Sequence, residues 1–361
     1  CIRDRASMTK ILTAYMVYKA VDQGKITWDT EVDISDYPFN LTVDSEVSNV
    51  PLDSRKYTVK QLLDATLISS ANSAAIALAE KISGSESAFV DTMTAQLKEW
   101  GITDAKLFNA SGLNNKYLGD NRYPGSKADD ENTMSALDVA IIADHLIKDY
   151  PQVLEITKQT ETDFEGNNKL TTHNYMLEGQ DNYREGVDGL KTGTTELAGA
   201  SFVAHANENG MSLITVVMNA DNGGEDEAAR FTATNELLDY VTQNWKIKTL
   251  NTKGQIVKKN DIKVADGDSQ TISAKLESDL TVVQKINSKN DAVKIKAKTI
   301  TAPIKKDDTI GTATFDDKDL VGTGYISDPP QISVTANQSI KKSFFLKVWW
   351  NHIVNFFTGN K

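Results

Sequence analysis

Cysteine is almost missing from this chain: Cys1 is the single one in 361 residues. One cysteine makes no internal disulfide, no iron–sulfur site and no cysteine-built zinc site. Histidine is scarce as well. His145, His173, His205 and His352 lie far apart, with neither HExxH nor HxH spacing, so no metal site and no cofactor is expected. Positive charge is in deficit, with 39 Lys and Arg against 50 Asp and Glu and a net charge of −11. Such a chain is a poor general nucleic-acid binder, because that affinity rests on neutralising phosphates. No apolar stretch follows Cys1-Ile2-Arg3-Asp4-Arg5, so no signal peptide opens the chain, and the expectation is that it continues upstream. Internal repeats and low-complexity runs are absent too. What is present is ordinary for a folded protein. Apolar residues are 40% and charged residues 25%, which excludes wholesale disorder. At about 150 residues per domain the length allows two or three domains.

The first two-thirds mixes helices and strands. A helix is expected from Ser7 to Gln23, stopped by Gly24. Thr58-Val59-Lys60-Gln61 has the form of a capping box and opens another. Asn72 or Ser73 can cap a third that ends at Gly84, and Met134–Tyr150 reads as a fourth, closed by Pro151. Three strands follow as a meander: Gly189–Thr194, Ser201–Ala206 and Met211–Met218, the last two joined by Asn207-Glu208-Asn209-Gly210. A helix from about Glu225 to Trp245 comes after them. Helices before a late antiparallel meander indicate an α+β domain. Past the boundary expected near Lys246–Asn251 the composition changes. Residues 248–340 hold two aromatics, Phe315 and Tyr325, and alternating stretches such as Ala292–Lys298 and Gln331–Ala336. Period-2 alternation marks half-buried strands, so a small all-β, sandwich-like domain is expected. The domains are therefore read as 1–247, 248–339 and 340–361.

The last of these carries a short amphipathic segment. In Ser343–Phe357, Ser343, Lys347, Asn351 and Asn355 recur every four residues, one narrow polar stripe on an otherwise apolar helix. Fifteen residues span about 22 Å, short of the roughly 30 Å of a bilayer core. Such a helix is expected to lie in the membrane interface, with Lys341 and Lys342 near anionic headgroups. Docking on the protein's own core is the alternative.

Three short motifs occur in order: Ser7-Met8-Thr9-Lys10, Ser70-Ala71-Asn72 and Lys191-Thr192-Gly193. Each alone is compatible with a plain cap or a strand end. Together they fall where a reaction centre needs them: opening a helix, joining two helices, and on a strand of the meander. A serine hydroxyl needs a base beside it, and no Gly-x-Ser-x-Gly elbow or nearby histidine is available. Lys10, three residues on, shares a helix face with Ser7. Burial and a second cation, Lys191, can lower its pKa into the range of a base. The backbone N–H groups of Ser7 and Thr194 are candidates for an oxyanion hole, and Gly193 lets a substrate approach the strand closely.

This conjunction resembles the low-molecular-mass penicillin-binding proteins, the serine-type D-alanyl-D-alanine carboxypeptidase family. Ala6–Lys10, Ile68–Ala74, Phe108-Asn109-Ala110-Ser111-Gly112-Leu113 and Val187–Gly193 all look like that family. The resemblance is specific over the first 245 residues and more one of architecture from 250 to 335. It implies a β-lactamase/transpeptidase-like catalytic domain, an antiparallel sheet flanked by helices, followed by a β-rich domain and an amphipathic anchor. It implies that Ser7 attacks the carbonyl between two terminal D-alanines of a peptidoglycan stem peptide and that Lys10 takes its proton. Ser70 would relay a proton to the leaving nitrogen, and Asn72 would hold the substrate amide. Lys191, Thr192 and Arg230 would meet the terminal carboxylate, Arg230 having a surface arginine as its alternative. β-Lactams would be trapped on Ser7. Localisation on the outer face of the cytoplasmic membrane is implied. Transpeptidation, a serine β-lactamase and a non-catalytic envelope scaffold are the rival readings. Against the β-lactamase stand Ser-Ala-Asn in place of Ser-Asp-Asn and the lack of a Glu-x-x-Leu-Asn segment.

Overall fold

The structure is a computed structural model that describes residues 3–4, 6–43, 46–166, 168–195, 197–257, 261–297 and 299–344. The chain divides into two units, Cys1–Val241 and Thr242–Lys361.

Among the described residues of the first unit, eight α-helices accompany a small antiparallel sheet: α1 (Lys10–Asp22), α2 (Asp36–Leu41), α3 (Val59–Leu67), α4 (Asn72–Ser83), α5 (Glu86–Glu99), α6 (Ala136–Asp149), α7 (Leu154–Thr157) and α8 (Ala229–Asn244), whose last residues reach past the division. Helix α1 is apolar nearly all round. Ile11, Leu12, Ala14, Val17 and Tyr18 are all buried, as expected of a helix through the middle of a core rather than on its surface. The 3-10 turn Ala6–Thr9 precedes it, so Ser7 lies in that turn and the α-helix proper begins at Lys10.

Local chemistry explains several boundaries. Thr58 and Gln61 form the expected reciprocal capping box at α3. Helix α4 ends on Gly84 in the left-handed region, φ +81°, where a side chain is costly. Helix α6 begins later than the apolar pattern suggests, because Ser135 caps it and Asp138 returns the bond. Helix α8 begins at Ala229 rather than near Glu225. Asn222, at φ +63°, offers its carbonyl to both Glu225 and Asp226, and the Asp226 side chain takes the N–H of Ala228. Those bonds build a turn and delay the helix.

The sheet is the expected meander. Strands Val187–Thr195, Gly199–Glu208 and Met211–Val217 are hydrogen-bonded in that order. Their register sets Lys191 opposite Val203, Gly193 opposite Ser201 and Thr194 opposite Ala200. Val203 and Leu190 pack into the main core with α1, α3, α4 and α6.

Past the end of α8, the described residues of the second unit form strands and their connections and no helix. A four-stranded sheet runs Ala274–Leu276, Gln331–Ala336, Thr309–Phe315, Val293–Lys296. Strand Trp245–Asn251 pairs with Leu280–Lys285. A third small sheet contains one parallel pair, Ile262–Ala265 with Ile300–Thr301. One core of branched aliphatic residues, among them Val264, Ile272, Leu280, Val282, Ile310 and Val334, sits beneath them, with Phe315 as its large aromatic. That composition suits pleated, half-buried strands. Most of the expected terminal helix lies outside the described residues. Among the described residues no helix is long and apolar enough to cross a membrane.

Candidate active site

Lys10 organises the centre. Its side chain is fully buried, and its Nζ makes three hydrogen bonds. These run to Ser7 Oγ at 2.8 Å, Asn72 Oδ1 at 2.7 Å and the Ser111 carbonyl at 2.8 Å. An amine has three donors when charged, so this cage uses them all. Burial, and then the charge of Lys191, hold Lys10 well below the usual lysine range. That lowering favours losing one proton; the amine can then keep its bonds to Asn72 and Ser111 and turn its lone pair to the Ser7 hydroxyl 2.8 Å away, as a general base requires.

Asn72 is fixed from the other side. Its side-chain amide and its backbone N–H both donate to the Ser48 carbonyl, at 2.9 and 3.0 Å. It begins α4 two residues after Ser70, which adopts φ +58°. A non-glycine residue in that region costs about 1–3 kcal/mol, so the surrounding structure must hold it there. The bend swings the chain from α3 into α4 and leaves Ser70 on the same cleft as Ser7.

That cleft has a volume of about 180 Å³. Ser7, Ser70, Thr192, Thr194, His173 and Arg230 are among its walls. The expected residues therefore converge, with one difference of placement. Lys191 is 2% exposed and lies within the wall, its Nζ donating to the Thr192 carbonyl at 3.2 Å. Burial, and then Arg230, push Lys191 down to about 7. The Gly193 carbonyl accepts from Arg230 Nη1 at 3.2 Å.

Arg230 is not a surface arginine. It is 2% exposed, and its guanidinium also reaches the Ser201 carbonyl at 3.2 Å and Thr194 Oγ1 at 2.9 Å. Glu227 compensates it at 3.2 Å. The fork thus ties two adjacent strands together and turns the Thr194 hydroxyl.

Several contributors were not legible as such. The Ser111 carbonyl is a backbone atom and has no residue signature. Gly112, its neighbour, is required by packing: a Cβ there would stand 1.7 Å from the Ala6 carbonyl oxygen, at φ +78°. Glu86, buried at the start of α5, accepts from the Ala110 N–H at 2.8 Å and from the Tyr37 hydroxyl at 2.7 Å. Burial raises its pKa to about 7. Asn109-Ala110-Ser111-Gly112 stood out in the sequence only as part of a family-like segment with no role attached, and its small residues allow the close approach.

Residues 2–222 match the family model described as D-alanyl-D-alanine carboxypeptidase, and residues 245–342 match that of the penicillin-binding protein 5 C-terminal domain. The chain is 30% identical over 348 residues to the D-alanyl-D-alanine carboxypeptidase DacF of Bacillus subtilis, covering 94% of this chain and 80% of that protein. It is 26% identical to DacA of Escherichia coli K12, covering 87% and 73%. Among solved structures, penicillin-binding protein 3 of Streptococcus pneumoniae, described as a peptidoglycan synthesis regulatory factor, superposes with a TM-score of 0.86 at 49% identity, covering 94% of this chain and 93% of that one. Penicillin-binding protein 5 of Haemophilus influenzae does so with a TM-score of 0.71 at 25% identity, covering 95% and 92%.

Proposed function

The chain belongs to the D-alanyl-D-alanine carboxypeptidase family, and from that premise we propose the part each residue plays in its reaction. The protein is a serine-type carboxypeptidase, a hydrolase that takes the terminal D-alanine from a peptidoglycan peptide and binds β-lactams. It acts on cell-wall material outside the cytoplasm.

Ser7 is the nucleophile. Its Oγ attacks the carbonyl between the two D-alanines while Lys10 Nζ takes the hydroxyl proton. Negative charge develops on the carbonyl oxygen, which the backbone N–H groups of Ser7 and Thr194 receive. The C–N bond then breaks, and the proton held by Lys10 passes through Ser70 to the departing amine. The result is an ester on Ser7 and free D-alanine. Water attacks that ester, Lys10 takes its proton, and Ser7 Oγ leaves as the restored hydroxyl. Asn72 holds the substrate amide. Lys191, Thr192 and Arg230 supply the charge and hydroxyl that read the terminal carboxylate, Arg230 chiefly by orienting Thr194. Gly193 keeps the strand open to the substrate backbone.

The 2.8 Å contact between a buried Lys10 and Ser7 carries this assignment. The test is D-alanine release from a peptide ending in D-Ala-D-Ala. Wild-type protein should release it, and Ser7→Ala should reduce release to background while unfolding at the same temperature. Unchanged release by the variant rules out Ser7.

We further read residues 1–247 as the reaction domain, 248–339 as a β-rich pedestal and 340–361 as an interfacial anchor. The strong apolar bias of Phe344–Phe357 supports the last of these. Deleting Ser343–Lys361 should release the protein from vesicles and leave its peptidase activity; unchanged vesicle binding would exclude the anchor.

A further inference from the structure

A serine, a histidine and a carboxylate meet on the meander, away from Ser7. His205 Nδ1 stands 2.5 Å from Asp188 Oδ1, and its Nε2 stands 2.8 Å from Ser212 Oγ. None of the three is a wall of the reaction cleft. The sheet explains how they meet. His205 pairs with Ile214 on the neighbouring strand, and Ser212, two residues from Ile214, shares its face. On the other side the register steps from Val187 opposite Ala206 to Gly189 opposite His205, which leaves Asp188 as an extra residue in its strand. Such a bulge re-aims a side chain, and here it brings the carboxylate to the imidazole. The Asn207 amide donates to the second carboxylate oxygen at 3.4 Å, and the Thr157 hydroxyl donates to the Asp188 carbonyl at 2.9 Å.

These bonds define the part each group plays. A carboxylate only accepts, so Nδ1 carries a proton toward Asp188. In the neutral ring Nε2 then has its lone pair free to accept from the Ser212 hydroxyl. A hydroxyl within reach of a base, with the base oriented by a third group, is the arrangement that activates a serine. His205 is 2% exposed, so its ring is held in place, whereas Ser212 is exposed and open to a reagent.

We propose that Ser212 is a second nucleophile of this protein, activated by His205 and Asp188, and that it takes acyl groups from small neutral esters with a good leaving group. Ser212 Oγ attacks the ester carbonyl while His205 Nε2 takes the hydroxyl proton. The bond from the carbonyl carbon to the leaving oxygen then breaks, and the proton passes from His205 to that oxygen. The products are an ester on Ser212 and the free alcohol, with nothing oxidised or reduced. The charge of Asp188 disfavours an anionic donor such as penicillin.

The test mixes the full chain with p-nitrophenyl acetate and follows the acetyl ester on each serine by peptide mass spectrometry, with fragmentation to place it. Ser7 is far away in the sequence and is read on its own peptide. Ser278, exposed and with no histidine hydrogen-bonded to it among the described residues, is the internal reference. Ser212 should be acetylated about a hundredfold faster than Ser278, the lower end of what a placed general base supplies. His205→Gln removes the base, and Asp188→Asn removes the carboxylate that fixes the tautomer. Each should bring Ser212 down toward the rate of Ser278 and leave Ser278 unchanged. Equal rates at Ser212 and Ser278 in wild-type protein overturn the proposal, and so does a fast Ser212 in either variant when folded. The two serines of the wild-type protein keep the proposal open to refutation even if neither variant folds.

Discussion

Glu86 accepts a 2.8 Å hydrogen bond from the backbone N–H of Ala110, the residue before the Ser111 carbonyl that holds Lys10. The Ala110 carbonyl in turn takes the Thr13 hydroxyl from α1. A buried carboxylate on α5 therefore fixes the short segment that cages the base. Replacing it with alanine should leave the Ala110 N–H and the Tyr37 hydroxyl unpaired, costing about 1–3 kcal/mol. Acylation by penicillin should slow as the cage loosens, while Glu86→Gln, which keeps an acceptor for Ala110, should restore most of the rate. Stopped-flow acylation of the three proteins compares them directly.

The same residue makes stability depend on pH. Its folded pKa is raised, to about 7 from the ordinary 4.5. An acid with a raised folded pKa resists ionising in the native state while the unfolded chain ionises freely. Its stabilising contribution is full below about 4.5, falls as pH rises from there to about 7, and stays lost above that. Urea unfolding at pH 5 and pH 7.5 should show a drop in wild-type protein, and the drop should be smaller in Glu86→Gln. An equal drop in both excludes Glu86 as its source.

Lys10 can act as a base only once it is neutral, so acylation should have an acid limb set by its pKa. Burial, and then the charge of Lys191, push that pKa down. Removing the charge, as in Lys191→Gln, should raise the Lys10 pKa and move the limb to higher pH, whatever happens to the maximum rate. The pH profile of the second-order acylation constant reads this shift, and a limb that stays put or moves to lower pH would contradict it.

Arg230 serves through geometry as much as charge. Lysine keeps the charge and loses the planar fork that spans the Gly193 and Ser201 carbonyls and Thr194 Oγ1. Arg230→Lys should raise KM more than it lowers kcat, and should lower the unfolding temperature, because two buried carbonyls lose a donor. A change confined to stability would remove Arg230 from substrate recognition.

Gly112→Ala tests how tightly the Ser7 turn is seated. The added carbon would meet the Ala6 carbonyl at 1.7 Å. Overpacking costs about 1–3 kcal/mol and the left-handed backbone roughly another 1–2. Thermal unfolding should fall accordingly, and the acylation rate should fall with it as Ser7 is displaced.

Much of the site was legible because its parts are local. Ser7 and Lys10 are three residues apart and share a turn; Ser70 and Asn72 share a bend; Lys191 to Thr194 share a strand. Their meeting is a tertiary fact, yet three motifs in order on the right elements imply it. What escaped was what has no local pattern. The Ser111 carbonyl is a backbone group, and Glu86 acts through the backbone of Ala110. The start of α8 was hidden for a related reason, since Asn222 and Asp226 build a turn from side-chain and carbonyl bonds that apolar periodicity does not record. Lys191 was expected at the substrate; its burial in the wall depends on the packing of Arg230, which lies 39 residues further on, against the same strand. The second unit was legible as β because alternation is a local signal, but the order of its strands is not.

The most direct measurement of the central claim, that Ser7 activated by Lys10 forms the covalent intermediate, is the intact mass of the full chain after mixing with penicillin, followed by peptide mapping. The account predicts one added penicilloyl group on the peptide containing Ser7, and none on Ser7→Ala. An adduct mapped to another residue, or one retained by Ser7→Ala, would contradict it.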